Sequence, residues 1–219
     1  MSERMLVTQA LDEKDLLMKK IVDKIDNGRF IDWAKNNEDR GYITKLTRDE
    51  FAKNASALYQ QIGDYIDRYN RIEAAIIQSN AATMVETSIG TMSVAAAITL
   101  RKRLRASSEY ESDVDFNTRL ANRMQTQYNQ VVSDIDRKNS SLQSTAEDMR
   151  LSILGRDSKV RDDKPLAVVD SFVKENTAAV VDPLDVKAKV EAIRTGNENL
   201  LRELDTQIKV SNATTFIEF

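Results

Sequence analysis

The chain has 219 residues, a net charge of -3, and a composition that is 31% charged and 41% hydrophobic. That balance suits one large domain or two small ones built on long solvated helices. There is no Cys and no His, which excludes disulfides, thiol catalysis, thiolate zinc sites and Ser–His or Cys–His nucleophile pairs. With only 6 Gly and 2 Pro, a sheet-rich fold with many tight turns is disfavoured. The slightly acidic balance argues against a general nucleic-acid binder.

In chain order, the first helix is expected from about Leu6 to Asp26, with Val7, Leu11, Met18, Ile21 and Ile25 at helical spacing and Lys14 on the same stripe. Asn27-Gly28 is its stop signal. Arg29 to Trp33 alternates, as a short strand or an extended packing segment would, and Asn36 to Gly41 reads as an exposed loop. Thr47-Arg48-Asp49-Glu50 is a capping box. The helix it opens runs to Asn80 and carries a heptad seam of Phe51, Ala55, Leu58, Ile62, Tyr65, Tyr69, Ile72 and Ile76. Tyr59 and Ile66 widen that seam, so a second neighbour is expected. Met84 to Gly90 reads as a loop, with Thr91 or Ser93 capping the next helix.

The third helical element is very long. It starts at Val94, Ile98 and Leu104, resumes at Leu120 and Met124, and reaches Met149, with a break expected inside the polar stretch Ala106 to Asp115. Gly155 to Pro165 reads as a charged linker, and Val168 to Val181 fits a strand, a loop or a short helix. Asp182-Pro183-Leu184-Asp185 is a helix start, with Asp as N-cap and Pro in the first turn. The last seam follows, Val186, Val190, Ile193, Leu200, Leu204 and Ile208, with Asn197 in a heptad slot where a polar residue sets register.

Two echoes suggest internal duplication. Ser79-Asn80-Ala81-Ala82-Thr83 and Ser211-Asn212-Ala213-Thr214-Thr215 each end a heptad helix. Leu6 to Leu11, with Lys14 and Leu17, aligns without gaps on Ser93 to Ile98, with Arg101 and Leu104. Asn80, Thr83, Asn212 and Thr215 are therefore candidate ligand-binding residues, against the plainer reading that Asn and Thr simply terminate helices. Lys14 and Arg101 are candidates for an anion, against snorkelling or pairing with a carboxylate. The run Arg101-Lys102-Arg103-Leu104-Arg105 spreads around a helix and reads as a solvated face. Of Tyr59, Tyr65 and Tyr69, the last two sit in the seam, where core packing is expected, so Tyr59 is the candidate for stacking on a planar ligand. No metal, dinucleotide or Walker spacing occurs, so no cofactor and no catalytic constellation is expected.

These residues carry a resemblance. Ala10-Leu11-Asp12-Glu13-Lys14 with Leu17 and Ile21, Asn80-Ala81-Ala82-Thr83, Ala97-Ile98 with Arg101 and Leu104, and Arg202 to Ile208 with Asn212 and Thr215 resemble the septicolysin-like family of small, mostly helical bacterial proteins. The chain looks like a divergent member: it has Leu16, Lys102 and Ala213 where the family has Asp, Asp and Trp, and a longer middle region from about Glu109 to Val181. The resemblance implies a mostly helical fold, and the family's name suggests a membrane-active, cytolysin-like role.

The expected fold is all-α: long antiparallel helical hairpins with coiled-coil-like seams, internally duplicated, with at most one short β element. Residues 1–90 would form the first hairpin and 91–219 the second, with a middle region of about 109–181 inserted, in one integrated domain. The Thr47–Asn80 and Pro183–Asn212 seams are expected to pair, with the first and third helices across them. The expected role is a non-catalytic, homo-oligomeric binding protein that sequesters a small anionic or nucleotide-like ligand. A scaffold binding partner helices is the alternative, and a cytolysin-like protein the third reading. No apolar leader or membrane span is present in the sequence, so a cytoplasmic location is expected.

Overall fold

The computed structural model describes residues 3–106, 114–154 and 163–219. It is mostly helical, at 74%, with long helices packing pairwise and a few short strands. The chain divides into two compact units, one of residues 1–102 and 200–219 and the other of 103–199.

The first unit begins with β1 (Arg4–Leu6), followed directly by α1 (Val7–Asn27). Gly28 ends α1 in extended backbone (φ -71°) rather than in a left-handed cap. Glycine is needed there for space, since a Cβ would run into the Lys24 carbonyl and the Leu58 side chain. The segment 28–47 contains no strand, which leaves the extended packing reading for Arg29 to Trp33. Asp32 organises it: its carboxylate accepts from the backbone N–H of Trp33, Ile43 and Thr44 and from the Thr44 hydroxyl.

Next comes α2 (Arg48–Ala82), opened by the capping box. The Thr47 hydroxyl accepts from the Glu50 N–H at 3.3 Å, while the Glu50 carboxylate accepts from the Thr47 N–H at 3.0 Å. The seam expected to pair with the last helix instead packs on α1. Val7, Ala10 and Leu17 meet Ile72 and Ile76 in one buried cluster, completed by Ile217 and flanked by Tyr65 and Tyr69. The two helices run antiparallel, since Lys14 meets Glu73, Lys20 lies over Tyr65 and Gly28 abuts Leu58.

Met84 to Gly90 is not a loop. β2 (Met84–Thr87) and β3 (Gly90–Ser93) form an antiparallel ribbon, with Gly90 at φ 121°. Alternation of Val85 inward with Met84 and Glu86 outward is the strand signal in a segment too short to read as periodic. β3 leads into α3 (Val94–Arg105), capped by the Ser93 hydroxyl, which accepts from the Ala96 N–H.

After Thr214 the chain forms β4 (Phe216–Glu218), which pairs antiparallel with β1 in the register Arg4↔Glu218, Met5↔Ile217, Leu6↔Phe216. Among the described residues, four short strands therefore make two two-stranded ribbons, where one short β element was expected.

The second unit holds α4 (Phe116–Leu154), α5 (Asp163–Asn176) and the start of α6 (Val186–Thr214). Ala106, Val114 and Asp115 are non-helical, so the third element is interrupted as expected, while 107–113 lie outside the described residues. The expected linker overlaps α5 at 163–165, and its part from 155 to 162 also lies outside them. α5 settles most of Val168 to Val181 as helix, and Arg150 ties α4 to it through Asp170 at 2.7 Å. The Asn139 amide brackets the backbone of Ala178, donating to its carbonyl and accepting from its N–H. α6 begins three residues after Pro183, and its cap is Asp185, whose carboxylate accepts from the Ala188 N–H. Asp182 instead accepts from Leu184 and Val186, forming a turn ahead of the helix. Asn197 donates to the Thr118 hydroxyl at 2.8 Å, a specific polar contact at a seam position. Among the described residues, no helix is long and apolar enough to cross a membrane.

Candidate functional site

Two helix ends in the first unit match position by position. α2 ends in Asn80 to Thr83 and enters β2; α6 ends in Asn212 to Thr215 and enters β4. The Thr83 N–H donates to the Ser79 carbonyl at 2.8 Å, and the Thr215 N–H to that of Ser211 at 2.9 Å. The Thr83 carbonyl accepts from the Val94 N–H and the Thr215 carbonyl from the Val7 N–H, both at 2.9 Å. Each threonine thus closes one helix and fastens the first residue of another. These are backbone roles, satisfying groups that every helix terminus leaves open.

Asn80 and Asn212 also hold equivalent, half-buried positions. Neither amide is hydrogen-bonded by the described residues, so two polar groups at matching helix ends remain open to solvent or a ligand.

Seven residues before each Asn lies a carboxylate, on the same helix face. Lys14 donates to Glu73 at 2.9 Å, and Arg101 donates to Asp205 at 3.3 Å. The four side chains are partly exposed. The hydrogen bond to Glu73 raises the Lys14 pKa above its ordinary value, against an opposing effect of burial. Lys14 also lies 5.4 Å from the Tyr69 ring centroid. The two sequence-selected cations therefore occupy matching places, each held by an acid that sequence reasoning did not select. Spacing could have found them: Glu73 and Asp205 stand at the same interval before Asn80 and Asn212.

Each ribbon is fastened to a helix by a further acidic residue. Glu203 accepts from the Ser88 N–H at 2.9 Å and from its hydroxyl at 2.7 Å, which holds the Glu203 pKa below its ordinary value. Glu3 accepts from both terminal nitrogens of Arg68, at 3.0 and 2.8 Å, and its pKa is likewise lowered, mainly by that bond. Arg68 also binds Glu13 and lies over the Phe219 ring.

Tyr59 does not join these groups. It lies 21 residues before Asn80 on one continuous helix, about 30 Å away along the axis, and is 76% exposed. Ahead of α2, Trp33 and Tyr42 stack with ring centroids 4.3 Å apart, with Lys45 over Tyr42. A cavity of about 160 Å³ adjoins them, lined by Asp32, Trp33, Ala34, Gly41, Arg48 and Phe51. The hydrogen bonds from Thr44, Ile43 and Trp33 hold the Asp32 carboxyl well below the usual carboxylate range, so it stays ionised at neutral pH. The sequence marks Arg29 to Trp33 as a strand or packing segment and Asn36 to Gly41 as a loop, but not this assembly, because contacts between residues about ten apart have no periodic signature.

No protein-family model matches the chain. Comparison with curated proteins and with solved structures likewise returns no match.

Proposed function

We propose that the chain is built as two helical hairpins on one plan and acts as a non-catalytic, self-assembling binding protein. In this reading it sequesters a small anionic or nucleotide-like molecule at its paired helix ends, and it is a divergent relative of the septicolysin-like family. The observation that carries the reading is the matched pair of open amides, Asn80 and Asn212, each two helical turns beyond a fixed cation–carboxylate pair. Amides that donate and accept suit the polar edge of a nucleobase, and the nearby cations suit an anionic group. Sequestration needs no acid–base residue, in keeping with a chain lacking His and Cys.

The test is to denature purified protein and analyse the supernatant by mass spectrometry, alongside thermal shift with a nucleotide panel. A retained small molecule or a shift is expected, and Asn80→Ala with Asn212→Ala should remove it while leaving the unliganded melting temperature nearly unchanged. A shift that survives the double substitution would move the ligand elsewhere; no retained molecule and no shift would end the ligand reading.

The second reading, a scaffold for partner helices, is favoured by the pairing of Lys14 and Arg101 with carboxylates, which balances their charge internally. Recovery of one stoichiometric partner protein would support it. For the third reading, a cytolysin-like role, a liposome-leakage assay is decisive: absence of leakage ends it.

A further inference from the structure

Only Ile62, Ile72 and Ile76 of the 35 residues of α2 are buried. Its inward seam includes Leu58, Tyr65 and Ile76; one residue further on each time come Tyr59, Ile66 and Ile77. On α1 the inward Leu17 and Ile21 are followed by Met18 and Val22, with Ile25 continuing the row. A step of one residue turns a helix by about 100°, and in an antiparallel pair that step carries both helices toward the same side. Met18, Val22, Ile25, Tyr59 and Ile66 therefore form one apolar face across the α1/α2 hairpin, with Ile77 about 16 Å further along α2. The five are 39–76% exposed.

That face has a seam of its own. Ala52, Ser56, Tyr59, Gly63, Ile66 and Asn70 follow alternating steps of four and three, the spacing of a coiled-coil contact. Gly63 sits at its centre, and nothing lies within 4 Å of where its Cβ would be. A mid-helix glycine lowers helix stability relative to alanine, and no described residue comes close enough to require it. The open space leaves room for close approach of a helix from outside.

We propose that this face is the self-association surface and that its occupant is a second copy of the chain, the two hairpins packing face to face about a two-fold axis into a four-helix layer. The proposal rests on the self-assembling reading above and names its surface. Two arguments select a second copy. The five residues expose on the order of 500 Å² per protomer, so a symmetric pair that covers them removes about 1,000 Å², the size a specific interface must clear. Charge is also complementary: Lys19 and Asp26 flank the α1 row symmetrically about the level of Val22 and Asp23. A two-fold axis at that level sets each Lys19 against the partner's Asp26, twice per interface.

Sedimentation equilibrium of the full chain tests this, with circular dichroism to monitor folding. The wild type should sediment as a dimer or a multiple of one. Val22→Glu should release monomer with unchanged helicity, since Val22 is already exposed. Gly63→Leu should do the same with equal or greater helicity, a combination that general destabilisation would not produce. Lys19→Asp should weaken association about tenfold, and Lys19→Asp combined with Asp26→Lys should restore it. Assembly that persists through Val22→Glu and Gly63→Leu overturns this surface but leaves self-assembly standing. Failure of the charge swap to restore association overturns the two-fold arrangement, and a wild type that stays monomeric at the highest soluble concentration overturns both readings.

Discussion

The two ribbons of the first unit have the same register and opposite connectivity. β2 and β3 are joined through Ser88 and Ile89, whereas β1 and β4 lie at far-separated points of the chain with no turn between them; backbone hydrogen bonds join them, including the Glu3–Phe219 pair at 3.1 Å in both directions, and Arg4 lies over the Phe216 ring. Even so, Val85 and Ile217 are both buried at the matching position. A turn fixes register in one case; in the other the buried side chain and the helix end beneath it must do so. The element common to both is the helix end with its threonine, and the turn is an addition to it.

The largest test of this equivalence is in the core. Ile72 and Leu204 are both fully buried, at matching places on α2 and α6. Ile72→Ala and Leu204→Ala should each cost about 2–5 kcal/mol in chemical denaturation. Similar losses would sharpen the equivalence; a cost at Leu204 below about 1 kcal/mol would break it. A smaller effect is expected at Arg68. Arg68→Met removes a bidentate contact to Glu3, the bond to Glu13 and the contact over Phe219, for about 1–2 kcal/mol. Lys should not restore it, having no planar fork. Hydrogen exchange should then quicken at Met5 and Phe219 while the amides of β2 and β3 keep their protection.

Smaller again are the two cation–carboxylate pairs. Glu73→Gln and Asp205→Asn should each lower stability by about 0.5–1 kcal/mol, because solvent screens these partly exposed groups. High salt should shrink both effects together.

The smallest effect is the acid response that both ribbons share and that salt separates. Glu3 and Glu203 have folded pKa values below their ordinary 4.5. A lowered folded value means the carboxylate's contribution is full above the unfolded pKa and is lost as pH falls through the folded one. Both ribbons should therefore loosen below about pH 4, seen as faster amide exchange near Glu3 and near Ser88. High salt should weaken the effect at Glu3, whose partner is a cation, and leave Glu203, whose partner is a neutral serine, nearly unchanged.

Much of the helical layout was legible. Heptad spacing located α2, the Thr47–Glu50 box marked its start, and the repeated Asn–Thr segments marked two helix ends that the structure places in matching surroundings. The ribbons were not legible, since three or four residues cannot establish a period of two. Nor was the α6 start at Val186, because Asp182 and Asp185 both carry capping side chains and only the folded turn selects between them. At the candidate site the cations were found as interruptions of apolar stripes. Their acids stand at one interval before Asn80 and Asn212, but charged residues are common on helices, and packing is what selects these two as partners.

Sequence by itself determined the local quantities: where helices form, which face of each is apolar, and which polar signatures repeat, all of which follow from side-chain spacing along one chain. Tertiary structure decided which seams meet. The α2 seam packs on α1, β1 pairs with β4, Glu73 answers Lys14 and Asp205 answers Arg101. The physical reason is that an apolar stripe specifies that it must be covered but not by which neighbour. That choice is made by the combined fit of distant segments, which no local pattern encodes.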